Sequence, residues 1–176
     1  MAQAPIREEQ EGLSGMLLGI LSDTHGHVAR TQQAVERFAS LGVDQVLHCG
    51  DIGSPAVVEL LAPWPAHFVF GNVDDPTSLR EAIRRAGQTC HERFGKLDFH
   101  GKTVAFLHGD DSRLLRETIE RGRWSLVCYG HTHVAEISQR GDTLVVNPGA
   151  LYRTSLPSVA VVRLPSLEVR SLTVNS

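Results

Sequence analysis

Val46-Leu-His-Cys-Gly-Asp-Ile-Gly53 is an apolar run that breaks off at Gly50-Asp51. A continuous run of this kind reads as a strand covered on both faces, and the glycines let the chain turn away at its tip. The strand therefore carries a carboxylate to its own C-terminal end. Four other stretches repeat the design, with short apolar runs ending in Asp23-Thr-His25, Gly71-Asn72, His108-Gly109 and Gly130-His131-Thr-His133. Seven residues of metal-ligating type (Asp23, His25, Asp51, Asn72, His108, His131 and His133) thus stand at five strand ends.

Outward from this stretch, Leu17 to Ser22 reads as another doubly covered strand. Ala34, Val35, Phe38 and Leu41 recur at helical spacing over Ala29 to Leu41, and Gly42 ends that helix. Val43 to Cys49 is the second strand. Ser54-Pro55 opens a helix to about Leu61, and Ala66 to Phe70 is the third strand. A β-α-β-α-β order with long connections implies parallel strands and right-handed crossovers. A third helix is predicted over Thr77 to Ala86, closed by Gly87.

The pattern then changes. Thr89 to Phe94, Leu97 to Phe99 and Thr103 to Leu107 read as short strands joined by hairpins at Gly95-Lys96 and Gly101-Lys102. A helix over Ser112 to Arg121 and a strand over Leu126 to Tyr129 follow. Val134 to Gln139 pairs with Thr143 to Val146, and two strands, Ser158 to Leu164 and Glu168 to Val174, close the chain. These elements predict an α/β fold, a four-layer α/β/β/α sandwich of two mixed β-sheets flanked by helices. Residues 1–15 lack any apolar period and are expected to be a flexible tail, with residues 16–176 forming one domain.

The chain of 176 residues carries a formal charge of −3, which excludes a broad basic footprint for nucleic acid. No segment reaches the roughly 18–20 apolar residues of a membrane span, and the polar, acidic start is unlike a signal peptide. Cys49, Cys90 and Cys128 form no even framework, which fits a reducing, cytoplasmic setting. Assembly into a homo-oligomer is left open.

Ligands of open α/β sheets bind beyond the carboxyl ends of the strands, where all five motifs fall. In an extended chain residues i and i+2 project to one side, so Asp23 with His25, and His131 with His133, can each present two ligands to one centre. Asp and His without thiolates suit first-row divalent ions, manganese foremost, with Fe, Zn, Ni or Co as alternatives. Seven ligands exceed one tetrahedral site but suit two octahedral ions that share a carboxylate and a water. Such pairs hydrolyse phosphoryl and acyl bonds, the shared water losing its proton to become the nucleophile.

The ordered set Asp-x-His, Gly-Asp, Gly-Asn, His-Gly and Gly-His-Thr-His resembles the calcineurin-like metallophosphoesterases. The similarity is greatest to their small single-domain branch of bacterial and archaeal phosphodiesterases, which includes the retromer subunit Vps29. It runs from Leu17 to about Val162 and takes in Asn147-Pro-Gly149. The resemblance implies Asp23, His25 and His133 on one metal, Asn72, His108 and His131 on the other, and Asp51 bridging both. It implies a metal-bridging hydroxide as nucleophile, with Asn72 and His108 nearest a small phosphodiester substrate.

Two positions depart from the wider pattern. Val73 stands where many larger relatives carry a His able to protonate the leaving group, and Asp110 where another His often follows His-Gly. His27 and Arg153 are candidate substrate contacts, the latter as a bidentate phosphate clamp. His48, inside its strand, could support Asp51, whereas His67, His91 and His100 are expected to be structural or surface residues. Two other readings are a Vps29-like non-catalytic interaction scaffold and a phosphomonoesterase or nucleotidase.

Overall fold

The computed structural model describes residues 15–174. Of the expected tail at residues 1–15, all but Gly15 lies outside the described residues. β1 (Met16–Leu21), α1 (Val28–Leu41), β2 (Gln45–His48), α2 (Pro55–Leu60), β3 (Ala66–Phe68), α3 (Pro76–Arg85) and β4 (Thr89–Cys90) build the first half. They are followed by β5 (Phe94–Phe99), β6 (Lys102–Leu107), α4 (Ser112–Arg121), β7 (Leu126–Cys128), β8 (Glu136–Arg140), β9 (Thr143–Asn147), β10 (Ser158–Leu164) and β11 (Glu168–Thr173).

Two mixed sheets result, one in the order β11-β10-β1-β2-β3-β4 and one in the order β5-β6-β7-β9-β8. β1 to β4 run parallel, as the crossover pattern predicts, and β10 adds to β1 antiparallel. In the second sheet β6, β7 and β9 are mutually parallel.

Side-chain alternation explains why β1 is apolar on both faces. Leu18 and Ile20 point into a core shared with Val104, Phe106, Leu126, Cys128 and Val146 of the other sheet. Leu17 and Leu21 point the other way, into a core with Ala34 and Phe38 of α1 and Val57 of α2. β6 alternates likewise, with Ala105 and Leu107 facing Leu115 and Ile119 of α4. The layers are therefore α1–α3, sheet, sheet, α4, the expected α/β/β/α sandwich. Cys49 and Cys128 are free and buried between the sheets, where burial pushes both thiols up, so they serve as small apolar fillers.

One expectation is corrected. Gly95-Lys96 is not a turn but lies within β5, which pairs with β6 as a single hairpin. Glycine is needed there for room, since a Cβ at residue 95 would stand 2.0 Å from the Phe106 ring. A smaller shift occurs in β8, which starts at Glu136 rather than Val134.

A candidate metal centre at the strand tips

The five predicted motifs meet at one edge of the sandwich. The loops after β1 and β2 continue the parallel pairing of their strands: Asp23 N–H donates to Gly50 O at 3.0 Å, His25 N–H to Asp51 O at 2.9 Å and Gly26 N–H to Ile52 O at 2.9 Å. Gly130 N–H donates to His108 O at 2.8 Å, which ties the last two motifs together.

The backbone there is unusual. Asp23, His25, Asp51, His131 and His133 all have φ between 44° and 68°. For side chains other than glycine the left-handed region costs about 1–2 kcal/mol each, and such outliers cluster at functional sites. Asp23 and His25 still reach one centre, as expected of ligands two residues apart, but the expectation is corrected for the second pair. His131 and His133 separate: His133 Nε2 lies 3.1 Å from Asp23 Oδ1 and 3.4 Å from His25 Nε2, whereas the His131 ring packs edge-on against His108 at 5.1 Å.

Ligand-type atoms form two overlapping groups, Asp23 with His25 and His133, and Asp23 with Asp51 and His108, each within 4.8 Å. Asp51 Oδ2 stands 3.5 Å from His25 Nε2 and 3.3 Å from His108 Nε2, so it touches both sides. Asn72 Oδ1 is 3.2 Å from His108 Nε2. Ligands of one octahedral ion at about 2.1 Å stand about 3 Å apart, which matches this spacing.

The donor set fits a cation. Asp23 Oδ1 is buried with no hydrogen bond, although an imidazole nitrogen is 3.1 Å away. Among the described residues, neither Asp23 nor Asp51 is paired with a Lys or Arg; their ion-pair partners are all histidines. His108 Nδ1–H donates to Cys49 O at 2.8 Å, which turns Nε2 inward toward the carboxylates, the orientation of a metal-binding histidine. Burial opposes ionisation of Asp51, but the hydrogen bond and charge of His108, the Val73 N–H and His25 outweigh it and hold the carboxyl below its ordinary range. Burial likewise disfavours a charged His108, yet Asp51 raises it above the ordinary imidazole value.

Three further residues support the centre, and of these Asp74 carries no sequence signal of its own. Both oxygens of Asp74 are used, Oδ1 accepting from Gly53 N at 2.9 Å and Oδ2 from Gly71 N at 2.8 Å, so one carboxylate clamps the Asp51 loop to the Asn72 loop. Asn147 donates to Gly130 O and Thr132 Oγ1, both at 3.0 Å, and accepts from Gly149 N. His48 accepts from Gly50 N at 3.3 Å and faces Thr24 Oγ1 at 2.9 Å, and Thr24 donates on to Ile52 O. It braces the first loop rather than the Asp51 carboxylate, and burial, reinforced by His108, pushes it down to about 3.

Gly71 and Gly130 are explained by space. A Cβ would stand 1.9 Å from Asp51 Oδ1 at the first and 1.9 Å from Ser22 Oγ at the second.

The two softer candidates fare differently. His27 caps α1, accepting from Arg30 N at 3.3 Å. Arg153 is exposed and stacks over Tyr152 at 5.3 Å, and Tyr152 packs against His25 at 5.3 Å. Asp110 pairs with Arg93 at 2.5 Å, and Arg93 also donates to Phe70 O. His67 and His91 lie apart from the centre, 3.1 Å from one another, and His100 sits in the turn between β5 and β6.

Residues 16–166 match the calcineurin-like phosphoesterase superfamily domain. The chain belongs to that superfamily. Within it, the chain is similar to the phosphodiesterase MJ0936 of Methanocaldococcus jannaschii, with 29% identity over 163 residues that cover 89% of this chain and 98% of the relative. The solved structure of an archaeal phosphodiesterase superposes with a TM-score of 0.83 at 28% identity, over 90% of this chain and 99% of that one. Vps29 of Entamoeba histolytica shares the fold, with a TM-score of 0.63 at 18% identity over 91% of this chain and all of that one. These likenesses place the phosphoesterase in the small single-domain branch. No helix among its described residues is long and apolar enough to cross a membrane.

Proposed function

We propose that the protein is a metal-dependent phosphodiesterase, with Asp23, His25 and His133 holding one divalent ion, Asn72, His108 and His131 a second, and Asp51 shared. The observation that carries this reading is the buried, unpartnered Asp23 Oδ1, set among imidazoles with no Lys or Arg to balance it. Two ions bound there, manganese foremost, would supply Lewis-acid stabilisation of phosphoryl charge and a water acidic enough to attack phosphorus at neutral pH. The protein's own task is positioning. The left-handed loops, the Asp74 clamp and the His108–Cys49 bond hold the ligands in place before substrate arrives.

Among the described residues, neither of the two loop positions flanking the centre offers a general acid. Val73 follows Asn72, and Asp110 is held below the ordinary carboxylate range because its bond to Arg93 outweighs the effect of burial. Diesters with good leaving groups are therefore the preferred substrates.

The test is hydrolysis of an aryl phosphodiester with and without Mn²⁺, by the wild type and by Asp51→Asn and His131→Ala. Loss of a partner that merely supports a ligand costs about 10–100-fold, so loss of the shared ligand should cost at least about a hundredfold. Equal turnover by all three proteins would refute the assignment.

A further inference from the structure

A cavity of about 480 Å³ lies between the start of α1 and the loop before β10, with His27, Arg30, Gln33 and Ser155 in its wall. Its wall holds no Asp or Glu. The cavity beside His108 is lined by Asp110 and Asp111, and the two along α4 include Glu120. In a chain with a formal charge of −3, a wall free of carboxylates is the exception.

The polar groups of this wall are donors. Arg30 Nη1 donates to Leu151 O at 3.1 Å, which holds the guanidinium against the loop before β10. Among the described residues its other side-chain nitrogens meet no acceptor, and the arginine ion pairs are made by other residues. His27 Nδ1 accepts from Arg30 N at 3.3 Å, so the neutral ring carries its hydrogen on Nε2, as a donor. Gln33 and Ser155 add an amide and a hydroxyl.

Tyr152 links this cavity to the metal centre. Its ring packs against His25, a proposed ligand, at 5.3 Å and against His27 at 6.1 Å. Leu151 N–H donates to Asp23 O at 3.3 Å, so the loop that anchors Arg30 is itself tied to the first ligand loop.

The charge of the two ions has to be counted as well. Two divalent ions, the Asp23 and Asp51 carboxylates and an attacking hydroxide leave one net positive charge, which a phosphodiester monoanion cancels. Arg30 is then matched neither by the protein nor by the scissile phosphate. A guanidinium with free N–H groups binds phosphate or carboxylate through charge-assisted hydrogen bonds.

We infer that the cavity is a subsite for a second anionic group, phosphoryl or carboxyl, carried on one ester arm of the diester. The inference rests on the phosphodiesterase reading above and narrows it to a substrate class. Arg30 binds the second anion, and His27 and Gln33 donate beside it.

The test uses Mn-loaded protein and p-nitrophenyl diesters whose other arm is an alkyl chain of two to six carbons. The chain ends in phosphate, carboxylate or hydroxyl. At the length that reaches the cavity, a charged end should raise kcat/KM about tenfold or more over hydroxyl, through KM. Phosphate ahead of carboxylate identifies the group as phosphoryl, and the reverse as carboxyl. Arg30→Gln removes the charge and should cut the advantage to about twofold or less, whereas Arg30→Lys should keep most of it. Gln33→Glu leaves the Arg30 bond to Leu151 O in place and should abolish the advantage by like charge. In metal-free protein, methyl phosphate should shift the His27 ring signals in NMR titrations of the wild type and leave them unmoved in Gln33→Glu.

No advantage at any arm length, or one that survives Arg30→Gln or Gln33→Glu, overturns the inference while turnover of the hydroxyl-ended diesters upholds the phosphodiesterase reading. Methyl phosphate binding at His27 in a protein that hydrolyses no diester would overturn that reading and leave the anion subsite standing.

Discussion

Gly71→Ala adds one methyl group beside the residue on which both halves of the centre depend. The new Cβ would lie 1.9 Å from Asp51 Oδ1, 2.6 Å from Asp51 Cγ and 2.4 Å from Asp51 N. To reach even the 3.0 Å floor of real Cβ contacts, the carboxylate must withdraw by about 1.1 Å. It has little room to do so, because Asp51 is 3% exposed and accepts from Val73 N. Residue 71 lies outside the left-handed region, so the cost is steric alone, about 1–3 kcal/mol of overpacking. For a chain of this size that lowers Tm by roughly 2–12 °C.

The effect on metal should be larger. Ligand distances tolerate only about 0.2 Å, and Asp51 faces His25 on one side and His108 on the other. Gly71→Ala should therefore lose affinity for both ions together. Gly87→Ala is the control: nothing lies within 4 Å of its Cβ, while its φ of +69° costs about 1–2 kcal/mol. The two variants should lose similar stability in chelator, and only Gly71→Ala should lose Mn²⁺ binding by elemental analysis and titration calorimetry. If Gly71→Ala binds two ions with wild-type affinity, the role assigned to Asp51 is wrong.

Asp74→Asn leaves one acceptor for two N–H donors and turns an NH₂ toward one of them, so it should cost about 1–3 kcal/mol. It should also weaken Mn²⁺ binding about 10–100-fold, and unchanged affinity in the titration would remove Asp74 from the clamp. Chelation should lower Tm and Mn²⁺ restore it, since an ion at a hundred times its dissociation constant contributes about 2.7 kcal/mol; a melting curve indifferent to metal would contradict that. The low value of His48 gives a pH dependence with a definite sign. Because the folded state keeps this ring neutral down to about 3, its contribution is complete above the ordinary imidazole value of 6.5 and is lost as pH falls below it. At pH 5 that amounts to about 2 kcal/mol, so metal-free wild type should lose about that much more than His48→Gln between pH 7.5 and 5 in urea titrations. Parallel losses would show that His48 is not buried as a neutral ring.

The layers and the strand tips were legible because their signals are local. A doubly covered strand has to be apolar along its whole length, as Leu17 to Leu21 is, and a carboxylate or imidazole at the end of such a run stands out. Gly95 was misread because glycine signals a turn and a lack of space alike, and only the Phe106 ring across the hairpin decides between them. The clamp made by Asp74 is not legible in the sequence, because its two partners, Gly53 and Gly71, leave no periodic trace. The left-handed ligands escaped for a related reason. Asp and His enter that region more readily than most residues, but what holds them there is hydrogen bonding to loops more than twenty residues away. The parting of His131 from His133 follows from the same twist.

The backbone ladder that joins Asp23 to Gly50, His25 to Asp51 and Gly26 to Ile52 runs entirely through peptide groups. The pairing of the first two loops is thus held by the main chain, while Asp74 and Asn147 fasten the remaining loops through their side chains. Exchange of the His25 side chain leaves these peptide hydrogen bonds intact, whereas loss of the Asp23 carboxylate also removes the acceptor of the His131 N–H at 2.9 Å.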